Sequence, residues 1–459
     1  MINKIRDYIK QEAGKFGAKN DDPVLKSYIE RNNTKDEVLK SEGAYFGFIN
    51  PEEENSGPYH DFSLVIFPTD DDKSWVISLG VGSLGFKNDY DLASTPGVRR
   101  LLSEIITSDG FCKTNFIDIE TPISKEFLKR VPHLKNTLKK YDKVLPICEV
   151  LDNPESSDNL KRISAFVAAY AKLRGWASNN SQRKSIDEAI NYYKSSKKIN
   201  EEDDVLNLLL KRKYIVLEGA PGTGKTRLAK KITKQITTNY FLTQFHPEVS
   251  YSDFVIGIRP DIDSDVLLYR QNKGILMQAI IDAKENPDKK VVLIIDEINR
   301  ANLSNVLGPL FYLLEYNRLN DDFQFMLPSG NKFDILPGNL LIIGTMNTAD
   351  RSLAVVDFAM RRRFAWYQLK PHAIDSEKFH LNDFEKFSSI FEWYADSNEL
   401  NFQPGQAYFI AEDEYEMKNR IQYELFPLIK EYLAEGIMTK AKEEFNSYFV
   451  SRIGKSLFE

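Results

Sequence analysis

The run Gly219-Ala220-Pro221-Gly222-Thr223-Gly224-Lys225-Thr226 has the spacing GxxxxGK[ST]. A short apolar stretch, Tyr214-Ile-Val-Leu217, precedes it, and the helical pattern Arg227-Leu-Ala-Lys-Lys-Ile232 follows. Strand, glycine-rich turn and helix in that order build a cradle for a polyphosphate. The glycines let backbone N–H groups turn inward, and the helix start adds its positive dipole end. Lys225 is expected to reach the β- and γ-phosphates and the Thr226 hydroxyl to bind Mg²⁺. A chance glycine turn would lack the fixed lysine and threonine and both flanking elements. All eight residues are therefore read as nucleotide-binding.

Two further apolar runs carry the groups that hydrolysis needs. Val291-Val-Leu-Ile-Ile295 ends in Asp296-Glu297. Asp296 is placed to hold Mg²⁺ opposite Thr226, and Glu297 to orient or deprotonate the attacking water. Leu340-Leu-Ile-Ile343 leads to Asn347, whose amide can hydrogen-bond the water or the γ-phosphate. Arg361-Arg362-Arg363 closes a later helical stretch. Such a triplet is either a solvated basic face or a set of guanidinium groups that stabilise transition-state charge. In the second case Arg362 or Arg363 acts on a neighbouring copy, which requires an oligomer.

The elements positioning these groups form an α/β region over residues 205–370, with short strands alternating with helices around a parallel sheet. Residues 371–459, rich in Glu, Lys, Tyr and Phe at helical spacing, are expected to form a helical lid. Leu303, Val306, Leu307, Leu310 and Leu314 make a helical packing stripe rather than a site. Residues 1–150 read as a separate α+β domain with strands near 45–49, 62–67 and 75–79 and a helix over 124–141. The polar stretch 152–158 is expected to be a linker opening a helical segment, 151–204. Gly80-Val-Gly82-Ser-Leu-Gly85 fits GxGxxG, but Thr95-Pro96-Gly97 soon after makes a poor crossover helix, so it is read as a turn.

Composition bounds the function. The chain has 459 residues, 42% hydrophobic and 28% charged, with a net charge of −6; it is no polybasic nucleic-acid coat, although one basic patch suffices for DNA. Its two cysteines, Cys112 and Cys148, form no CxxC pair, which argues against zinc and for a reducing compartment. The first ten residues are amphipathic and charged, without a signal-peptide core, and no apolar run reaches membrane-spanning length. The expected location is the cytoplasm. The five histidines are scattered, and nothing reads as a nuclease centre.

These motifs together resemble the AAA+ superfamily, and within it the McrB family of modification-dependent restriction motors. The resemblance is carried by Gln244-Phe245-His246-Pro-Glu-Val-Ser250-Tyr251-Ser-Asp253-Phe254 with Arg259-Pro260, by Asp296-Glu297-Ile-Asn299-Arg300-Ala-Asn302, and by Met346-Asn347-Thr348-Ala349-Asp350-Arg351-Ser352 with Asp357 and the arginine triplet. The Met-Asn-Thr-Ala-Asp string adds Asp350 and Arg351 to the catalytic candidates Glu297, Asn347, Arg362 and Arg363. A weaker echo occurs at Gly405-Gln406-Ala407-Tyr408-Phe409, where the family carries a Gly-His-Ser-Tyr-Phe-like segment. The fold implied is an AAA+ P-loop NTPase core with a C-terminal helical lid, preceded by a separate α+β domain.

The resemblance implies GTP rather than ATP as substrate, a hexameric ring, and a separate McrC-like nuclease subunit that cuts DNA. It also implies recognition of modified double-stranded DNA by the N-terminal domain. There Tyr45, Phe46, Phe48 and Trp75 are expected to offer stacking surfaces for a flipped base, and Arg99-Arg100 to meet phosphates. The competing reading is an ATP-dependent remodeller or scaffold whose N-terminal domain binds an adaptor protein.

Overall fold

The computed structural model describes the chain apart from residues 21–25, 53–61, 70–72, 82–94, 114–121, 194–200, 261–268, 308–309, 311–312, 315–324, 327–331, 334–335, 350–357 and 459. It divides into two compact units, Met1–Lys198 and Ile199–Glu459.

Among the described residues of the first unit, six strands form one antiparallel sheet: β1 (Ile29–Asn33), β2 (Tyr45–Ile49), β3 (Ser63–Phe67), β4 (Trp75–Gly80), β5 (Phe111–Cys112) and β6 (Ile147–Leu151), in the order β1-β2-β3-β4-β6-β5. The β-branched and aromatic content of β2 to β4 suits a half-buried pleated surface, and the three strands fall where the sequence pattern puts them. The expected helix over 124–141 is broken in two, Lys125–Arg130 and Lys135–Lys140. Pro132 lies between them and opens a short 3₁₀ turn, because proline cannot donate in a continuing helix. Residues 152–158 are not a separator between domains. Ser156 caps the helix Ser157–Leu173, accepting from the Asn159 amide, and that helix packs on the helix Ile2–Lys15 and on β3 and β4. It presents ten buried residues, so the segment belongs to the core of the first unit.

Among its described residues the second unit is built on five parallel strands: β7 (Tyr214–Gly219), β8 (Tyr240–Gln244), β11 (Val291–Asp296), β14 (Leu340–Asn347) and β15 (Ala365–Gln368), in the order β15-β7-β14-β11-β8. A ribbon of β9 (Ile256–Pro260) and β10 (Tyr269–Lys273) stands outside this sheet, as does the two-residue pair β12 (Phe325–Met326) and β13 (Lys332–Phe333). The central strands β7, β11 and β14 are buried on both faces, as a sheet covered by crossover helices requires. One face packs on Leu276, Ile280, Val306 and Leu310, the other on Val205, Leu209, Ala229 and Ile232. Helices including Leu381–Tyr394, Phe426–Ala434 and Lys442–Ile453 make a separate core around Phe387, Phe391, Phe409 and Phe445. No helix among the described residues is long and apolar enough to cross a membrane.

Candidate nucleotide-hydrolysis site

The glycine-rich loop leaves the carboxyl end of β7 and enters the helix Lys225–Ile236. Gly222 and Gly224 have φ of 79° and 84°, left-handed values that side chains resist, so the turn needs glycine at both places. Thr223 is 1% exposed, and its hydroxyl donates to the Ala220 carbonyl at 2.9 Å. Lys225 Nζ donates to the Gly219 and Ala220 carbonyls, both at 2.9 Å. Desolvation lowers the pKa of this buried ammonium, and Glu297 and Asp296 partly offset the shift.

The sheet order brings the remaining groups to the same edge. β14 lies between β7 and β11, with Asn347 in register with Gly219 and Ile295 with Gly344. Thr226 Oγ1 donates to Asp296 Oδ1 at 2.7 Å, pairing the two predicted metal ligands. A hydroxyl and a carboxylate are hard oxygen donors that fit Mg²⁺. The Asn347 side-chain oxygen accepts from the Ala349 amide at 3.2 Å, and its carbonyl accepts from Asn299 Nδ2 at 3.4 Å.

Glu297 occupies a left-handed conformation, φ 53° and ψ 48°, which costs a non-glycine residue on the order of 1 kcal/mol. Its carboxylate lies close enough to Lys225 to offset part of the desolvation of that ammonium. Glu297 Oε2 is buried without a hydrogen-bond partner, and Arg300 Nε lies 3.5 Å from it.

The structure adds a residue that the motifs do not contain. Thr345, 1% exposed on β14, donates from Oγ1 to Asp296 Oδ1 at 2.5 Å and accepts from the Glu297 amide at 3.1 Å. One hydroxyl thus orients the acidic pair from the neighbouring strand. Its only trace in the sequence is a polar residue inside an otherwise apolar run.

The arginine triplet is divided. Arg361 and Arg362 are exposed, whereas Arg363 is 5% exposed. Arg361 lies over the Trp366 ring, 4.9 Å from its centroid, and its carbonyl accepts from the indole N–H. Arg363 therefore lacks the reach expected of a group acting on another copy. Asp350 and Arg351 lie outside the described residues.

The family-specific residues upstream have structural roles. Phe245 and Phe254 stack edge to face at 5.0 Å. Ser250 and Asp253 form a capping box, and Asp253 Oδ1 accepts from Arg259 at 2.6 Å. The cap therefore ties the helix Tyr251–Phe254 to strand β9.

The sheet order and the assembled loop, acidic pair and asparagine define an AAA+ P-loop NTPase domain. Residues 214–364 match the family described as AAA domain (dynein-related subfamily). The chain is 34% identical over 261 residues to the type IV methyl-directed restriction enzyme EcoKMcrB subunit of Escherichia coli (strain K12), covering 50% of this chain and 56% of that one. It is 28% identical over 220 residues to the type II restriction enzyme BsuMI component YdiS of Bacillus subtilis (strain 168), covering 39% and 64%. Over half its length the chain is thus similar to an McrB subunit, and residues 214–364 carry the AAA domain. It spans between a half and two thirds of the length of the curated relatives it matches.

Proposed function

We propose that this chain is the nucleotide-hydrolysing motor subunit of a DNA restriction complex, using GTP in preference to ATP. The observation that carries the reading is the 34% identity to a methyl-directed restriction subunit over half the chain. The chemistry divides among the chain's own groups. Lys225 and the loop amides bind the phosphates, Asn347 holds water or the γ-phosphate, and Glu297 takes the proton of the attacking water. Thr226 and Asp296 hold Mg²⁺, which neutralises phosphate charge when bound. In a ring, proposed to be hexameric, Arg362 supplies positive charge to the neighbouring copy's site. A separate McrC-like nuclease subunit cuts the DNA.

The first unit is proposed to read modified double-stranded DNA, but not through the full aromatic set expected. Phe46, Phe48 and Trp75 are at most 1% exposed and belong to its core. Tyr45, together with Phe46 and Phe48, lines a cavity of about 360 Å³ that Arg31 and Tyr141 also border, and Arg31 Nη2 lies 3.5 Å from the Tyr45 hydroxyl.

Competition of labelled GTP by unlabelled ATP in the full chain tests nucleotide choice. The expected result is displacement by GTP at much lower concentration than by ATP; equal displacement overturns the preference. Duplex DNA with and without methylated bases should survive the chain alone and be cut only with nuclease partner and nucleotide. Cutting by the chain alone overturns the motor-only assignment.

A further inference from the structure

The helical part of the second unit reaches back to the phosphate loop through one short turn, residues 405–408. Gly405 has φ −74°, so glycine is not needed there for backbone freedom. It is needed for room: a Cβ would lie 2.1 Å from Gly222 C and 2.2 Å from Thr223 N. The close approach places three donors on three consecutive loop carbonyls. Gly405 N–H donates to Pro221 O at 2.8 Å and Ala407 N–H to Gly222 O at 3.1 Å. Gln406 Nε2 donates to Thr223 O at 2.9 Å. Gln406 is 8% exposed, and its Oε1 is buried without a partner.

In a trans peptide the carbonyl and the following N–H point in opposite directions. Holding the carbonyls of Pro221, Gly222 and Thr223 on the turn therefore directs the N–H groups of Gly222, Thr223 and Gly224 away from it. Those N–H groups belong to the anion nest of the loop. Phe409, fully buried and packed on Phe384 and Phe387 at 5.4 and 5.7 Å, anchors the turn in the helical core.

We propose that residues 405–408 are a clamp that preorganises the phosphate nest from behind, with Gln406 as its positioning residue. The clamp couples the helical region to polyphosphate affinity: whatever displaces the turn weakens nucleotide binding, and bound nucleotide holds the turn in place. This rests on the glycine-rich loop being the nucleotide site.

The test compares Gln406→Glu, Gln406→Ala and Lys225→Ala in the full chain, by titration with a fluorescent nucleoside triphosphate, by steady-state kinetics and by melting without nucleotide. Gln406→Glu keeps the shape but cannot donate, and its negative charge opposes the Thr223 carbonyl behind the phosphate nest. We expect Kd to rise about 5-fold for Gln406→Ala, the worth of one hydrogen bond, and about 10-fold or more for Gln406→Glu. The loss should appear in KM with kcat retained, and any fall in melting temperature without nucleotide should be accompanied by the rise in Kd. Gly405→Ala should raise Kd further. Parental Kd for Gln406→Glu, with binding abolished in Lys225→Ala, overturns the clamp and leaves the loop assignment standing. A lowered melting temperature with unchanged Kd also overturns it, leaving Gln406 a packing residue. Undiminished binding by Lys225→Ala removes the loop assignment and the clamp together.

Discussion

The proposed roles of Lys225 and Glu297 separate binding from chemistry. Lys225→Ala is expected to abolish nucleotide binding, and Glu297→Gln to bind normally but hydrolyse on the order of 10²-fold more slowly, the usual scale of a general base. Single-turnover measurements check this, and parental turnover in Glu297→Gln would remove it from the mechanism. Thr345→Val keeps the volume on β14 but loses the hydroxyl that meets both Asp296 and the Glu297 amide. It should lower kcat about 10-fold, the equivalent of about 1.4 kcal/mol in the transition state, with Kd little changed. The lowered pKa of Lys225 gives two pH effects of opposite sign. Between that lowered value and the ordinary 10.5, the unfolded lysine binds more protons than the folded one, so nucleotide-free stability rises with pH there. Phosphate binding needs the cation, so affinity falls over the same window. Lys225→Met, compared with the parent by melting, should lack the first effect; an identical pH profile in both would refute it.

Among the elements, those with short-range signatures were readable from the chain. The phosphate loop, its strand and helix, and the apolar runs of β11 and β14 all stand where local pattern puts them. Residues acting across strands or between distant segments left no such mark. Thr345 works through a neighbour 48 positions away and Gln406 through one 183 away; neither spacing has a sequence period. Residues 152–158 misled for another reason: a polar turn with a serine cap has the same composition whether it joins two domains or a strand to its own packing helix. The Ser250–Asp253 cap makes an element-level prediction. Asp253→Ala removes the carboxylate that caps the helix and meets Arg259. It should cost about 1 kcal/mol of local stability, seen as faster amide exchange in β9 and β10 with hydrolysis retained at saturating nucleotide. Unchanged exchange there would leave the ribbon held by other contacts.

For the whole molecule, the division at Lys198 decides which fragment is worth making. Residues 1–198 should unfold cooperatively as a single domain, while residues 1–155 lack the helix Ser157–Leu173 and should not. Its Ala165, Phe166 and Tyr170 are all fully buried, and losing such a face exceeds the margin of an ordinary domain. Circular dichroism melts of both fragments check this; a cooperative melt for 1–155 would refute it. The longer fragment then tests DNA recognition by titration with methylated and plain duplexes at two salt concentrations. Phosphate contacts should weaken as salt rises, and a folded fragment that binds neither duplex moves specificity elsewhere.

The left-handed backbone at Glu297 also bears on how variants of this protein will be found. A glycine or asparagine accepts that conformation more easily, and either removes a carboxylate whose Oε2 is buried without a hydrogen bond. Where the relief of strain outweighs the lost ion pair with Arg300 and the lost charge near Lys225, selection for thermal tolerance alone would enrich for loss of the glutamate proposed to act in hydrolysis. Glu297→Gly should melt no lower than the parent. A stability screen of this chain needs hydrolysis as a second criterion, because one of its strained positions is the residue proposed to activate the attacking water.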